Sequence, residues 1–356
     1  MRVLAVNAGS SSVKAALFDG GAEAGRGRVS RLRGDPVLRA CEEETPLPRG
    51  IGARDAALAL AERLGAGAPG AVAHRIVHGG GRAGPEVLTD DALGALEALT
   101  PLAPLHQPGS VAIARALRDA MPDAVHVGCF DTAFHQTIPA RRQTFAVPEA
   151  LRPEGVRRYG FHGLSYEGTA RWLRAERPDL GRVVALHLGS GASLCAMRDA
   201  RSVATSMSLT PLDGVPMGTR SGALDPGYLI WLMRQGRGPD EIEDALYRRS
   251  GLLGLSGVSN DVRDLRASED PRAAEALEAF AEAAAETTAG YTAILGGLDA
   301  VVFSGGIGEN DEAMREAVCG RLAHLPPFET LVRPADEEAV MAAQAAALLA
   351  PAMSAL

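Results

Sequence analysis

Residues Val3–Asp19 read VLAVNAGSSSVKAALFD, an apolar run that breaks on Asn, Gly and Ser and then resumes. That pattern predicts a strand, a tight turn and a returning strand. The design recurs in VVALHLGSGASLCAM (Val183–Met197), and a third apolar run meets a Gly-rich turn in AVVFSGGIGEN (Ala300–Asn310). Gly9-Ser10 and Gly189-Ser190 occupy matching places, which predicts an internal duplication: two α/β halves, each with its own turn facing a common cleft. Between the turns, apolar spacing of about 3.6 residues predicts helices over Asp55–Leu64, Ser110–Ala120, Ser165–Arg174 and Pro271–Ile294, with a last, Ala-rich one over Glu337–Leu349. Strands alternating with helices imply an α/β architecture. The Gly- and Arg-rich stretch Gly20–Gly50 lacks a period and reads as hairpin or loop, and Pro148–Pro153 is the expected neighbourhood of a hinge.

At 356 residues and 37.0 kDa, with 46% apolar residues, the chain can bury a sizeable core and favours two domains over one. The formal net charge is -8 and the 36 Lys and Arg are scattered, so no basic stripe suggests nucleic acid or an anionic membrane surface. The N-terminal apolar stretch is too short for a signal peptide, and no apolar run approaches the roughly 20 residues a membrane helix needs. A cytoplasmic protein acting on small molecules is the expectation. Cys41, Cys129, Cys195 and Cys319 lie far apart without a C-x-x-C pair, which argues against disulfides and a thiolate zinc site.

A turn such as Gly9–Ser12 gathers backbone N–H groups and hydroxyls in a concavity suited to phosphate oxygens, and Lys14 follows to add a point charge. It is not a Walker loop, because G-x-x-x-x-G-K-[ST] is absent, and Leu188–Leu194 lacks the third glycine of a dinucleotide fingerprint. His74 and His78 are spaced as in a zinc-binding helix, but Arg75 replaces the glutamate of H-E-x-x-H and three glycines follow, so strand into loop is the better reading. Arg75 there, and Arg220 in MGTRSG, are candidate clamps for carboxylate or phosphate, whose geometry the guanidinium fork matches. Asp131 directly follows an apolar strand (Val125–Phe130), where it could orient an arginine, hold a metal-bound water or act as a base, and His162 sits in the Gly-flanked turn GFHG. No G-x-S-x-G nucleophile occurs. Phosphate turns, arginines, one Asp and one His without a covalent nucleophile fit direct phosphoryl transfer, which depends on positioning and charge neutralisation.

Taken together, VNAGSSSVK, AHRIVHGGG, LAPLHQPGS, CFDTAFHQTIP, RYGFHGLSY, HLGSGASL, SLTPLDGVPMGTRSGALDPG, SGLLGLSGVSNDVRD and FSGGIGEN resemble the acetokinase family of the acetate and sugar kinase, heat-shock and actin superfamily. The resemblance implies two duplicated actin-like (ribonuclease H-like) domains flanking a nucleotide cleft, residues 1–132 and 133–337, with helix 338–356 packing back on the first and the second carrying the nucleotide and dimer surfaces. It implies reversible phosphorylation of acetate by ATP, with propionate or another short-chain acid as the alternative substrate, Mg²⁺ or Mn²⁺ as cofactor, and a homodimer. A non-catalytic nucleotide-binding regulator on the same fold is the reading from another class, which Arg75, Asp131, His162 and Arg220 argue against. A sugar kinase would need a polar pocket where Val77, Leu105, Phe161 and Pro211 are apolar.

By the same resemblance, Asn7, Ser10, Ser12 and Lys14 line the phosphoryl path. Arg75 and Arg220 face the carboxylate and the transferring group, His162 faces the developing charge, and Asp131 orients Arg75 or the metal. Val77, Leu105, His106, Phe161 and Pro211 form the acid pocket. His187 and Gly189, Ser190 and Gly191 hold nucleotide phosphates, while Asp261, Arg263, Gly306, Ile307, Gly308 and Asn310 surround the adenosine. Glu337, with Asn7, is the implied metal-linked acid. Three positions depart from the family's habit: Ser190 stands where Asn is usual, Tyr166 where His is usual and Ala335 where Thr is usual. The chain is also some tens of residues shorter than typical members.

Overall fold

The computed structural model describes residues 1–9, 12–32 and 34–353. The chain divides into two compact units, one formed by Met1–Gln136 with the segment from Asp336 onward, the other by Thr137–Ala335. The first division falls after Gln136 rather than after residue 132, and Asp336 and Glu337 join the first unit, not the second. Pro148–Pro153, where a hinge was expected, lies inside the second unit.

In the first unit eight strands form one sheet: β1 (Arg2–Ala8), β2 (Val13–Asp19), β3 (Ala22–Ser30), β4 (Val37–Ala40), β5 (Glu43–Pro46), β6 (Ala71–Ile76), β7 (Glu86–Val87) and β8 (Val125–Phe130). Their order is β5-β4-β3-β2-β1-β6-β8-β7. β1 runs antiparallel to β2 and parallel to β6, which is parallel to β8. Val3–Ala8 are buried throughout because helices cover both faces of this centre: Ala53–Arg63 and Gln107–Ala120 among them, and Glu337–Met353, which packs across β1, β2, β6 and β8. Gly20–Gly50, expected as hairpin or loop, holds β3, β4 and β5 as successive hairpins at the sheet's edge, with β3 and β5 largely exposed.

The second unit has five strands: β9 (Arg182–Leu188), β10 (Ala192–Arg198), β11 (Arg201–Thr205), β12 (Ala300–Ser304) and β13 (Glu329–Val332), in the order β11-β10-β9-β12-β13. β9 is antiparallel to β10, β10 to β11, and β9 runs parallel to β12, which is parallel to β13. This repeats β3-β2-β1-β6-β8 strand for strand in order and direction, so the duplication expected from the two Gly-Ser turns is a property of the whole sheet. The long helix Pro271–Leu295 packs on β9, β10 and β11.

Candidate active site

In the first unit, parallel β6 and β8 end side by side, and the residues at their ends carry the charge. Arg75, on β6, aims its fork at Asp131, the first residue after β8: Nε to Oδ2 is 3.1 Å and Nη2 to Oδ2 is 2.7 Å. The backbone N–H of Asp131 donates to the Ile76 carbonyl at 3.1 Å, which fixes the carboxylate against the neighbouring strand. Arg75 Nη1 donates to Asn7 Oδ1 at 3.0 Å and lies 3.5 Å from Glu337. Burial alone would weaken the charged guanidinium, but Asp131 and Glu337 outweigh it and its pKa is raised. Because Asp131 takes the bidentate edge, Arg75 offers a ligand its positive charge and remaining N–H groups, not the fork.

Asn7, on β1, donates its amide N–H groups to Glu337 (2.8 Å) and Glu338 (2.7 Å), the first residues of the helix Glu337–Met353. Glu338 escaped the sequence reading, since two adjacent acids cannot be ranked by pattern; the structure directs both at one amide. Burial, then the charge of Glu337, raises the carboxyl pKa of Glu338, while Lys14 and Arg26 work the other way. Among the described residues no group of three or more His, Cys, Asp or Glu could hold a metal ion. The donors at Asn7 are nonetheless hard oxygens, and one or two carboxylates suit a cation that keeps waters and phosphate oxygens in its shell, as Mg²⁺ does.

Lys14, on β2, pairs with Asn7 across the hairpin, and Ser12 precedes it; Ser10 lies outside the described residues. Val77 is buried just beyond β6. Gln107, also missed, ties that loop to the segment holding Leu105 and His106. Its Oε1 accepts from His78 N–H (3.0 Å) and its Nε2 donates to the His78 and Leu96 carbonyls, each at 2.9 Å.

In the second unit, His162 caps the helix Gly163–Glu176 from the left-handed region (φ 58°), a conformation non-glycine residues seldom adopt and one that turns the ring out of the helix's path. Its Nδ1 lies 2.9 Å from Ser193 Oγ on β10, and its ring stacks at a tilt on His187 of β9, centroids 4.4 Å apart. His187 Nδ1 meets Ser165 Oγ at 2.8 Å. Arg220 donates through Nη1 to the Pro211 carbonyl at 2.8 Å, which brings together two residues expected to share the pocket. The loop under it is fixed by the start of the helix Gly251–Ser256, where Leu252 and Leu253 donate to the carbonyls of Met217 and Gly218 at 2.8 and 3.0 Å. Gly251 (φ 61°) makes that approach possible, because a Cβ there would come within 2.6 Å of the Arg220 carbonyl oxygen.

These side chains meet at Gly191. A Cβ added there would lie 2.9 Å from Arg220 Nη2 and 3.4 Å from His162 Nε2, so the guanidinium and the far edge of the imidazole converge on the turn between β9 and β10. Gly189 N–H closes that turn on the Gly191 carbonyl at 3.0 Å, and Ser190 is exposed beside it. Gly306, Ile307, Gly308 and Asn310 lie in a short helix, Gly305–Asn310, where a turn was expected; Asn310 turns its amide back onto the Gly306 carbonyl at 2.9 Å. Ala335 N–H donates to Glu309 at 3.0 Å. Asp261 caps the helix Val262–Ala267, and its carboxylate takes both Arg263 N–H (2.9 Å) and Nη2 (2.5 Å), so these two pair with each other. Phe161, adjacent to His162, is buried.

Residues 2–330 match the family described as the acetokinase family. The chain is 43% identical over 348 residues to an acetate kinase of Rhodopseudomonas palustris, covering 91% of this chain and 86% of that one. Among solved structures it resembles the acetate kinase of Porphyromonas gingivalis (TM-score 0.82, 30% identity, 98% and 99% of the two chains covered). It also resembles a propionate kinase of Francisella tularensis (TM-score 0.88, 32% identity, 96% and 98% covered). A duplicated α/β sheet and the family match over nearly the whole chain agree: this chain is a kinase belonging to the acetokinase family.

Proposed function

We propose that the chain transfers the γ-phosphoryl group of ATP to acetate, reversibly, giving acetyl phosphate and ADP. A carboxylate oxygen attacks the γ-phosphorus in line, and the bond from that phosphorus to the oxygen bridging to the β-phosphate breaks as ADP leaves. The observation that carries this reading is the convergence of Arg220 and His162 on Gly191: two donors aimed beside a phosphate-type turn, where charge develops in the transition state. Arg75, locked by Asp131 and Asn7, supplies positive charge to the acid's carboxylate. Asn7, Ser12 and Lys14 line the phosphoryl path. Val77, Leu105, His106, Phe161 and Pro211 are assigned to the substrate's methyl group. His187 and the Gly189–Gly191 turn face the nucleotide phosphates, and Gly306–Asn310 the adenosine. Mg²⁺ or Mn²⁺, held by Glu337 with Asn7, would neutralise charge on the nucleotide phosphates. ATP as co-substrate and reduced cysteines fit the cytoplasm.

The test is a panel of formate, acetate, propionate and butyrate with ATP, acyl phosphate being trapped by hydroxylamine. Acetate is expected to lead propionate by roughly 10- to 200-fold in kcat/KM, the range one methylene changes in an apolar pocket. Propionate in the lead would leave the kinase reading and overturn the acetate assignment.

We further infer a homodimer. The helix Pro226–Arg234 buries none of its residues, and Ile230, Trp231 and Met233 are each just over half exposed (51%, 53% and 54%). Its own Tyr228 and Leu232, with Leu224, Ile242 and Leu246, help line a concavity of about 620 Å³. An apolar face of this kind, continuous with an apolar groove, fits a second copy of the chain.

A further inference from the structure

We propose that Tyr166 is a positioning residue that, through Ser193, holds His162 as the tautomer carrying its proton on Nε2, so that the imidazole presents a donor at Gly191. The inference rests on the reading that His162 faces the transferring phosphoryl group. It starts from three buried side chains in a row: Tyr166 Oη lies 2.7 Å from Ser193 Oγ, which lies 2.9 Å from His162 Nδ1. Tyr166 sits one helical turn after His162, its N–H donating to the His162 carbonyl at 3.1 Å, so one helix start sets both ends of the row.

The direction of the protons follows from counting donors and acceptors. The phenol is buried, which pushes its pKa well up and keeps it protonated, and it already receives a backbone hydrogen bond from His187. Its own proton therefore goes to Ser193 Oγ. Ser193, having accepted, sends its hydroxyl proton to His162 Nδ1. A ring nitrogen that accepts carries no proton, so the neutral imidazole keeps its proton on Nε2. In the opposite arrangement Nδ1–H would donate to Ser193, which would accept twice while its own proton lost a partner in a fully buried place. An imidazolium would demand the same arrangement, and would also set a second positive charge beside the guanidinium of Arg220 and the stacked ring of His187.

Nε2 is the edge that faces Gly191, beside Arg220 Nη2. A donor there can take a share of negative charge on phosphoryl oxygens, whereas an acceptor would repel it. Tyr166 thus orients His162 as a fixed phenol.

The test is ¹⁵N NMR of the full chain labelled at its eight histidines, the His162 ring signals being assigned by their loss in His162→Gln. Wild type should show Nδ1 unprotonated and Nε2 protonated. In Tyr166→Phe, Ser193 is released to accept from the ring, so both signals should move toward a mixture of tautomers. kcat should fall about tenfold while KM for acetate and for ATP stays within about twofold, because binding is untouched and the transition-state donor is lost part of the time. Ser193→Ala should do the same, and the double variant should be no worse than either single one, as for two members of one row. Tyr166→His, which keeps a donor at the position, should recover most of the lost kcat. Nδ1 protonated in the wild type, or unchanged ring signals in Tyr166→Phe at any level of activity, would overturn the proposal. Should either variant fail to fold, the wild-type signals still decide. A wild type with the expected tautomer but no acetate-dependent ADP release would instead sink the functional reading and leave the row intact.

Discussion

At the scale of single residues, the two arginines should part company when removed. Arg75→Ala and Arg220→Ala are each expected to lower kcat by about a hundredfold or more, since each removes positive charge from the transferring group. Lysine should restore neither, because a point charge cannot replace the planar guanidinium. Their effects on stability should differ. Arg75→Ala removes the guanidinium paired with Asp131, whose side chain is 1% exposed, and losing one partner of a buried pair costs about 3–5 kcal/mol. Arg220 donates to a carbonyl in a partly exposed loop, so its loss should leave the melting temperature within a few degrees. Near-wild-type turnover in either alanine variant would remove that arginine from the site. Lys14 invites the converse experiment. It is the only lysine in the chain, the other basic residues among the 36 all being arginine, and it stands opposite Asn7 in the first turn's hairpin. A compact ammonium on a flexible stem is what that position retains, so Lys14→Arg should lower kcat by about tenfold or more. Its stability should be unchanged, because the side chain is exposed. Full activity in the arginine variant would show that any cation serves there.

At the scale of elements, β6 and β8 are joined by more than their ladder. His74 Nε2 lies 2.8 Å from His126 Nδ1, the rings stack, and His126 Nε2 meets the Met121 carbonyl at 3.1 Å. Burial, then His126, lowers the His74 pKa to about 3, and burial lowers that of His126. Both are therefore neutral when folded and take protons more readily when unfolded. Between the unfolded value of about 6.5 and the folded one the unfolded chain binds more protons, so stability is present above that window and is lost as pH falls through it. Denaturation midpoints should be flat from pH 8 to 7 and drop below about 6.5, by on the order of 1–2 kcal/mol at pH 5; His74→Leu should flatten the drop. A wild type as stable at pH 5 as at pH 7 would contradict the buried neutral pair.

The same elements show what the sequence makes legible. The hairpins β1–β2 and β9–β10 could be read directly, because Gly, Ser and Asn interrupt apolar runs whose apolar residues are buried. β3 to β5 could be read only as hairpin or loop, since their Gly- and Arg-rich sequence carries no apolar alternation and β3 and β5 are largely exposed. Gly305–Asn310 reads as a turn because its glycines disfavour helix, and the strand in front of it imposes the helix instead. Arg75, Asp131, His162 and Arg220 stood out by residue type at strand ends and in Gly-flanked loops. Ser193, Gln107 and Glu338 did not, because each matters only for the side chain it touches, and no local pattern records that; Tyr166 stood out only as a departure from the family's habit.

At the scale of the whole molecule, the exposed face of the helix Pro226–Arg234 sets a question of assembly. Its residues run PGYLIWLMR, apolar without a break from Tyr228 to Met233, and a run of this kind is ordinarily buried. Tyr228 and Trp231 stack on one another with centroids 5.9 Å apart, presenting a flat aromatic surface of the sort enriched at the centres of protein interfaces. A stable interface buries about 1,200–2,000 Å² in total, with a few aromatic anchors carrying most of the energy. The wild-type chain, 37.0 kDa, should accordingly elute and scatter light as a species of twice that mass at micromolar concentration. Trp231→Asp combined with Ile230→Asp places two charges on that face. Neither side chain is buried within its own unit, so the fold should survive with its melting temperature lowered only by the loss of the partner. The double variant should run as a monomer and expose less apolar surface to a hydrophobic dye than a wild-type chain diluted to dissociation. A dimer that persists unchanged in the double variant would move the interface elsewhere, and a wild type that stays monomeric would leave this helix a face without a second copy.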